Sequence, residues 1–149
     1  MSTAIVGVAC IAIHPHDPTH VLVVTESKSN TSIGKKAGML SLPAGHIHAS
    51  EPLQEAMLRE LAEETGYEGR IQSLIGIYQT VGSLGVAFLV EVKDVPAHRS
   101  AIDEISSVEW KSVQELLDAP QQLRPGMHQV LLDYQANIRY PVSLIQSCL

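Results

Sequence analysis

Cysteine, basic charge and long apolar runs are all scarce in this sequence. Only Cys10 and Cys148 occur in 149 residues, one near each end. Thiols so placed form neither a disulfide framework nor a zinc-spaced cluster, and a reducing cytoplasm is the default setting. Cys10 sits in an apolar run and reads as core; Cys148 adjoins the C-terminus and reads as exposed. Lys and Arg number 10 against 16 Asp and Glu, a net charge of −6 with a pI of about 5.6. That balance argues against a nucleic-acid polymer or an anionic membrane as the main partner. A nucleotide substrate stays open, because a bound metal reverses the local field. The apolar stretch at 4–13 is too short to span a bilayer, and it has neither a basic leader nor a cleavage site. Repeats and a dividing linker are also missing, so the length fits one domain over residues 1–149. What is present is a globular balance of 45% hydrophobic and 17% charged residues, which does not suit disorder.

Residues 4–13 (AIVGVACIAI) read as a strand buried on both faces. HPHDP at 14–18 reads as a turn, and 20–26 as a second strand that completes a hairpin. Residues 27–38 are polar and read as a flexible loop. A short strand at 39–42 leads into a turn at Pro43-Ala44-Gly45, and a helix follows over 52–65. Strands are expected at 71–79 and 84–92, joined at Gly82-Ser83. A loop at 93–103, a strand at 105–110 and helices at 112–119 and 127–137 complete the order. The apolar tail 138–149 is expected to pack down. Strands on both sides of a central helix, with more helix later, point to an α/β or α+β mixed sheet covered on both faces.

The helix carries the chemistry. Leu, Ala, Glu, Gln, Met and Arg dominate it, all strong helix formers. Pro52 stands at the start, where its missing N–H costs nothing, and Gly66 at the end, where a left-handed residue stops a helix. At 3.6 residues per turn, Glu60, Glu63 and Glu64 share an arc with Ala56. Met57, Leu58, Leu61 and Ala62 form a neighbouring arc suited to a core. Like charges three or four apart cost roughly 0.2–0.5 kcal/mol each. Glu63 and Glu64 also lie in the last turn, where the helix dipole disfavours anions. Arg59 alone does not neutralise three acids. A hard divalent cation would, and carboxylate oxygens suit Mg2+ or Mn2+. A solvated, Glu-rich surface helix is the bland alternative.

Gly45, Glu51, Arg59-Glu60, Glu63-Glu64 and Gly66 stand at the offsets G-x5-E-x7-R-E-U-x-E-E-x-G-U, where U is aliphatic. Leu61 fills the first U, and Tyr67 departs from the pattern at the last. In this stretch the chain resembles the Nudix (MutT-like) hydrolase family. VAC at 8–10, LVV at 22–24, PAGH at 43–46, RYPV at 139–142 and 91–110 in outline resemble its NudJ-type phosphatase branch. The resemblance implies an α/β/α sandwich with a mixed central sheet. It also implies metal-dependent hydrolysis of small diphosphates: nucleoside di- and triphosphates or thiamin-type pyrophosphates. An ADP-ribose or nucleotide-sugar pyrophosphatase is the runner-up. A non-catalytic ligand-sensing domain fits less well, because no box acid is lost. A homodimer is expected from the apolar tail and from family habit.

The resemblance also implies roles. Glu60 and Glu64 are the first metal ligands, Glu63 is a further one, and the Ala44 carbonyl completes the set. Arg59 orients Glu60, and Glu51 pairs with Arg59. A later acid comes from a loop before a tryptophan: Glu104, six before Trp110, or alternatively Asp103. The general base is Glu60 or Glu104. Lys28, Lys35 and Lys36 either touch phosphates or stay solvated, and His46 either packs or reaches substrate. His48 stands where many members carry an acid. Leu40 stands where many carry a tryptophan, so stacking is either weaker here or comes from elsewhere, such as Tyr78 or Phe88. His14, His16 and His20 belong to a surface turn.

Overall fold

The computed structural model describes residues 3–93 and 104–149. Strand β1 (Ile5–His14) turns through Pro15 and His16 into β2 (Asp17–Glu26), giving the expected hairpin. The two strands then diverge. β1 and β2 still face each other at Ile13 and Val21, but further along Val24 pairs with Ser41 and Ala9 pairs with Ala44. The gap between them is filled by β3 (Leu40–Ser41), lying on β2, and β4 (Ala44–His46), lying on β1. The expected turn at 43–45 is therefore partly strand, because a free edge of β1 is there to pair with it.

Helix α1 (Leu53–Thr65) follows, then β5 (Gly69–Thr80), β6 (Ser83–Val92) and β7 (Ile105–Ser112). The sheet runs β3-β2-β1-β6-β5, with β7 on the outer edge of β2. β1 and β6 are parallel and the other pairs antiparallel, so the sheet is mixed. Helices α2 (Val113–Leu117) and α3 (Met127–Gln135) complete the fold.

Strand side chains alternate between faces, and β1 divides its residues accordingly. Val8, Cys10 and Ala12 pack with Met57 and Leu61 of α1. Ala9 and Ile11 pack with Val113 and Leu116 of α2 and with Met127 and Val130 of α3. Helices thus cover both faces, an α/β/α arrangement. The buried stripe of α1 is Ala56, Met57 and Leu61, while Leu58 and Ala62 lie at its margin. Gly66 ends the helix at φ 78°, donating its N–H to Ala62.

Two expectations need correction. Residues 27–38 are not a featureless loop. Asn30 accepts the Ser32 N–H and starts a 3-10 turn at Thr31–Ile33, Gly34 closes it at φ 71°, and Ile33 is only 4% exposed. One apolar side chain inserted in the core is enough to anchor a polar segment. The tail packs down only in part. Tyr140 and Leu74 exchange two 2.9 Å backbone hydrogen bonds and Ile145 packs on the α1-side core, but Leu144 and Leu149 are exposed.

Candidate active site

The site begins with the alternation of β4. Antiparallel residues turn both backbone groups either toward the partner strand or away from it. Pro43 accepts from Cys10 at 3.0 Å, Gly45 pairs with Val8, and Ile47 donates to Val6 at 3.2 Å. Ala44 and His46 therefore face the other way, toward α1. The Ala44 N–H donates to Glu64 Oε1 at 2.9 Å, and the His46 carbonyl accepts from Arg59 Nη2 at 3.1 Å. The same alternation turns the Ala44 carbonyl to the helix side.

Arg59 organises the acids. Its Nε and Nη2 grip Glu51 in a fork at 2.7 and 3.0 Å. Its Nη1 donates to Glu60 at 2.8 Å and to Glu63 at 3.1 Å. The Arg59 fork and the His48 N–H hold the Glu51 carboxyl down at about 2. The Glu51 carboxylate in turn raises the Arg59 guanidinium. Glu60 lies directly over Gly45, where a β-carbon would collide with its carboxylate.

An open cleft of about 950 Å³ lies beside this network, lined by Glu26, Glu60, Glu64 and Glu104, with Lys35 and Arg124 also on its wall. Glu64 is 7% exposed. Burial holds its carboxyl well above the ordinary range; the Ala44 N–H opposes this, and Glu60 and Glu26 add to it. Burial also raises Glu60, against the pull of Arg59. Burial lowers His46, helped by Arg124 and Lys35 and opposed by Glu104. Buried carboxylates facing one another conflict electrostatically, and a hard divalent cation relieves that conflict. Among the described residues, no three His, Cys, Asp or Glu side chains close on one point. Arg59 and the Ala44 N–H hold Glu60 and Glu64 instead. The donor set fits an Mg2+-type ion: carboxylates of i, i+4 residues beside a backbone carbonyl.

A second cavity of about 580 Å³ adjoins the cleft on the α3 face. One row of paired residues crosses the sheet as His46, Gly7, Gly85 and Tyr78. The two central glycines leave a bare floor between an imidazole and a phenol. Met127 and Val130 of α3 line it from above, and the Tyr78 hydroxyl donates to Asp133 at 2.7 Å. Ala44, Gly45, His46 and Arg124 line both cavities.

The structure brings Glu60, Glu64, Ala44, Glu104, Lys35 and His46 to the cleft. Glu63 does not line it; its side chain is 46% exposed and turned to Arg59. Lys28 and Lys36 are exposed and line neither cavity. Phe88 cannot stack on a ligand, because it is fully buried on the α1 face; Tyr78 is the aromatic that lines the slot. Asp103 falls outside the described residues. Sequence reasoning missed Glu26 and Arg124. Glu26, an acid closing the apolar strand HVLVVTE, was the available signal; Arg124 in QQLRPGM gave none. The departure at Tyr67 has a structural partner: its ring meets Trp110 edge-on at 5.5 Å, and its hydroxyl accepts from the indole at 3.2 Å.

A sequence model of the NUDIX domain matches residues 4–134. Phosphatase NudJ of Escherichia coli strain K12 is 30% identical over 145 residues, covering 94% of this chain and 89% of its own length. The solved structure of a NUDIX hydrolase from Nitrosomonas europaea superposes with a TM-score of 0.83 at 28% identity, over 97% of both chains. A MutT NUDIX hydrolase from Burkholderia pseudomallei, at 20% identity, shares the fold with a TM-score of 0.69 over 89% of this chain and 98% of its own.

Proposed function

The chain belongs to the Nudix family of hydrolases, and we propose that it acts as one domain over its 149 residues, cleaving phosphoanhydride bonds in small diphosphates. Nucleoside di- and triphosphates and thiamin-type pyrophosphates are the substrate classes. One observation carries this reading: a cleft lined by acids, with Glu60 held by Arg59 over Gly45, opens into a slot able to take the rest of a small molecule.

Mg2+ or Mn2+, held by Glu60, Glu64 and the Ala44 carbonyl, would neutralise the diphosphate and lower the pKa of the attacking water. Glu63, held by Arg59 at 3.1 Å, would be a further ligand. Arg59 keeps the Glu60 carboxylate facing the cleft, and Glu51 keeps Arg59 in place. With Glu60 so engaged, Glu104 is the group that takes the water proton. His46 and Tyr78 flank the non-phosphate part of the substrate over the glycine floor. A small-molecule substrate, with no polymer or membrane partner, accords with the acidic charge balance. A cytoplasmic setting accords with the free thiols of Cys10 and Cys148. Among the described residues no helix is long and apolar enough to cross a membrane.

The test is a panel of nucleoside di- and triphosphates, thiamin-type pyrophosphates and ADP-ribose, assayed for phosphate and nucleotide release with Mg2+, with Mn2+ and with chelator. Turnover is expected with either ion and is lost with chelator and in Glu60→Gln. Equal turnover by Glu60→Gln and wild type would sink the assignment.

A further inference from the structure

Arg124 stands where the cleft meets the slot and lines both. Its Nη1 reaches Glu26 Oε1 at 3.4 Å, and Lys35 Nζ approaches the other oxygen of that carboxylate at 3.7 Å. Both contacts are long for charged pairs, which settle at about 2.7–2.9 Å. Glu26 is 3% exposed, and the Arg124 and Lys35 side chains are themselves largely covered. One buried carboxylate thus holds two cations loosely, and among the described residues it takes only one of the five N–H donors of the guanidinium. The backbone at Arg124 is held independently of that pair. Its N–H is bonded to the Leu40 carbonyl at 2.8 Å, and Leu123 beside it is buried.

A diphosphate entering a cleft walled by Glu26, Glu60, Glu64 and Glu104 meets repulsion from four carboxylates. An ion bound by the helix acids offsets one end, and the end near the slot needs its own cation. Resting on the reading that the cleft takes a diphosphate, we propose that Arg124, assisted by Lys35, is the anion anchor of the substrate. Its guanidinium exchanges Glu26 for the phosphoryl oxygens nearest the slot. Glu26 is then a stand-in for phosphate, holding the two cations until substrate displaces it. A planar fork suits two phosphoryl oxygens better than an ammonium does.

Imidodiphosphate, which is not hydrolysed, reads this directly by calorimetry on the full chain with Mg2+. Arg124→Gln is expected to weaken binding by about tenfold or more, the usual size of a lost charged hydrogen bond. Glu26→Gln removes the competing charge and is expected to tighten binding. Opposite signs support the anchor. Wild-type affinity in Arg124→Gln, or equal weakening in both variants, overturns it, the second outcome marking the pair as purely structural. If Arg124→Gln does not fold, Arg124→Lys decides. It keeps the charge beside Glu26 but not the fork, so severalfold weaker binding supports the proposal and unchanged binding overturns it. Failure of wild type to turn over any panel substrate would count against the hydrolase reading alone, since imidodiphosphate binding needs no turnover.

Discussion

The carboxylate of Glu60 lies so close over the Cα of Gly45 that no β-carbon fits between them. Strand β4 and helix α1 approach each other to that limit because Arg59 ties both Glu60 and the His46 carbonyl to one guanidinium. Gly45→Ala is therefore expected to displace Glu60. A misplacement on the ångström scale costs about 100-fold in turnover, so kcat/KM should fall by about that factor. Activity within about threefold of wild type would show that Glu60 has room to move without consequence.

Glu64 sets a pH and metal dependence. Its carboxyl is raised well above its ordinary 4.5 by burial. The unfolded chain ionises first as pH rises past that ordinary value, so the metal-free protein loses stability from there up to the folded pKa. Glu64→Gln keeps the acceptor for the Ala44 N–H and removes the buried charge. In chelator at neutral pH it should melt higher than wild type, by about 2–4 °C per kcal/mol relieved. With Mg2+ the order should reverse, since only wild type gains from the ion. Thermal scans of both proteins, with and without the ion, check this; a lower melting temperature for the variant in chelator would contradict it.

Glu51 behaves in the opposite sense. Its carboxyl lies at about 2, below the ordinary 4.5. The pair with Arg59 therefore contributes stability above pH 4.5, which is lost as pH falls from there toward about 2. Glu51→Gln should flatten that part of the melting curve. At neutral pH it should also lower kcat, because Arg59 loses the fork that fixes it behind Glu60. Parallel acid profiles for the two proteins would refute the first expectation.

Gly85 tests the slot. A β-carbon there meets nothing nearer than the Tyr78 carbonyl at 3.8 Å, so a side chain enters open space. Gly85→Val suits a strand and should leave the melting temperature unchanged or raised. It should also raise KM by about tenfold, corresponding to about 1.4 kcal/mol of lost substrate contact. An unchanged KM would mean that substrate does not use the glycine floor.

What the sequence by itself determined is the local chemistry. The pairing of Arg59 with Glu51, which precedes the helix, was implied by the family resemblance. Helix α1, its Pro52 and Gly66 boundaries and the grouping of acids along one arc lie within residues 45–67. There 3.6-residue periodicity places side chains without reference to the rest of the chain. The hairpin and the mixed, doubly covered sheet were also legible, since both follow from apolar runs and their turns. Only the tertiary structure decided which strands stand side by side. β1 runs parallel to β6, and that pairing alone sets Gly7 beside Gly85 and turns Phe88 into the α1-side core rather than toward a ligand. The divergence of β1 from β2 turned an expected turn into β4, whose alternation aims Ala44 at Glu64. Arg124 meets Glu26 across a sequence separation of 98 residues. No periodicity reaches that far; contacts of this kind depend on how the whole sheet closes against α3.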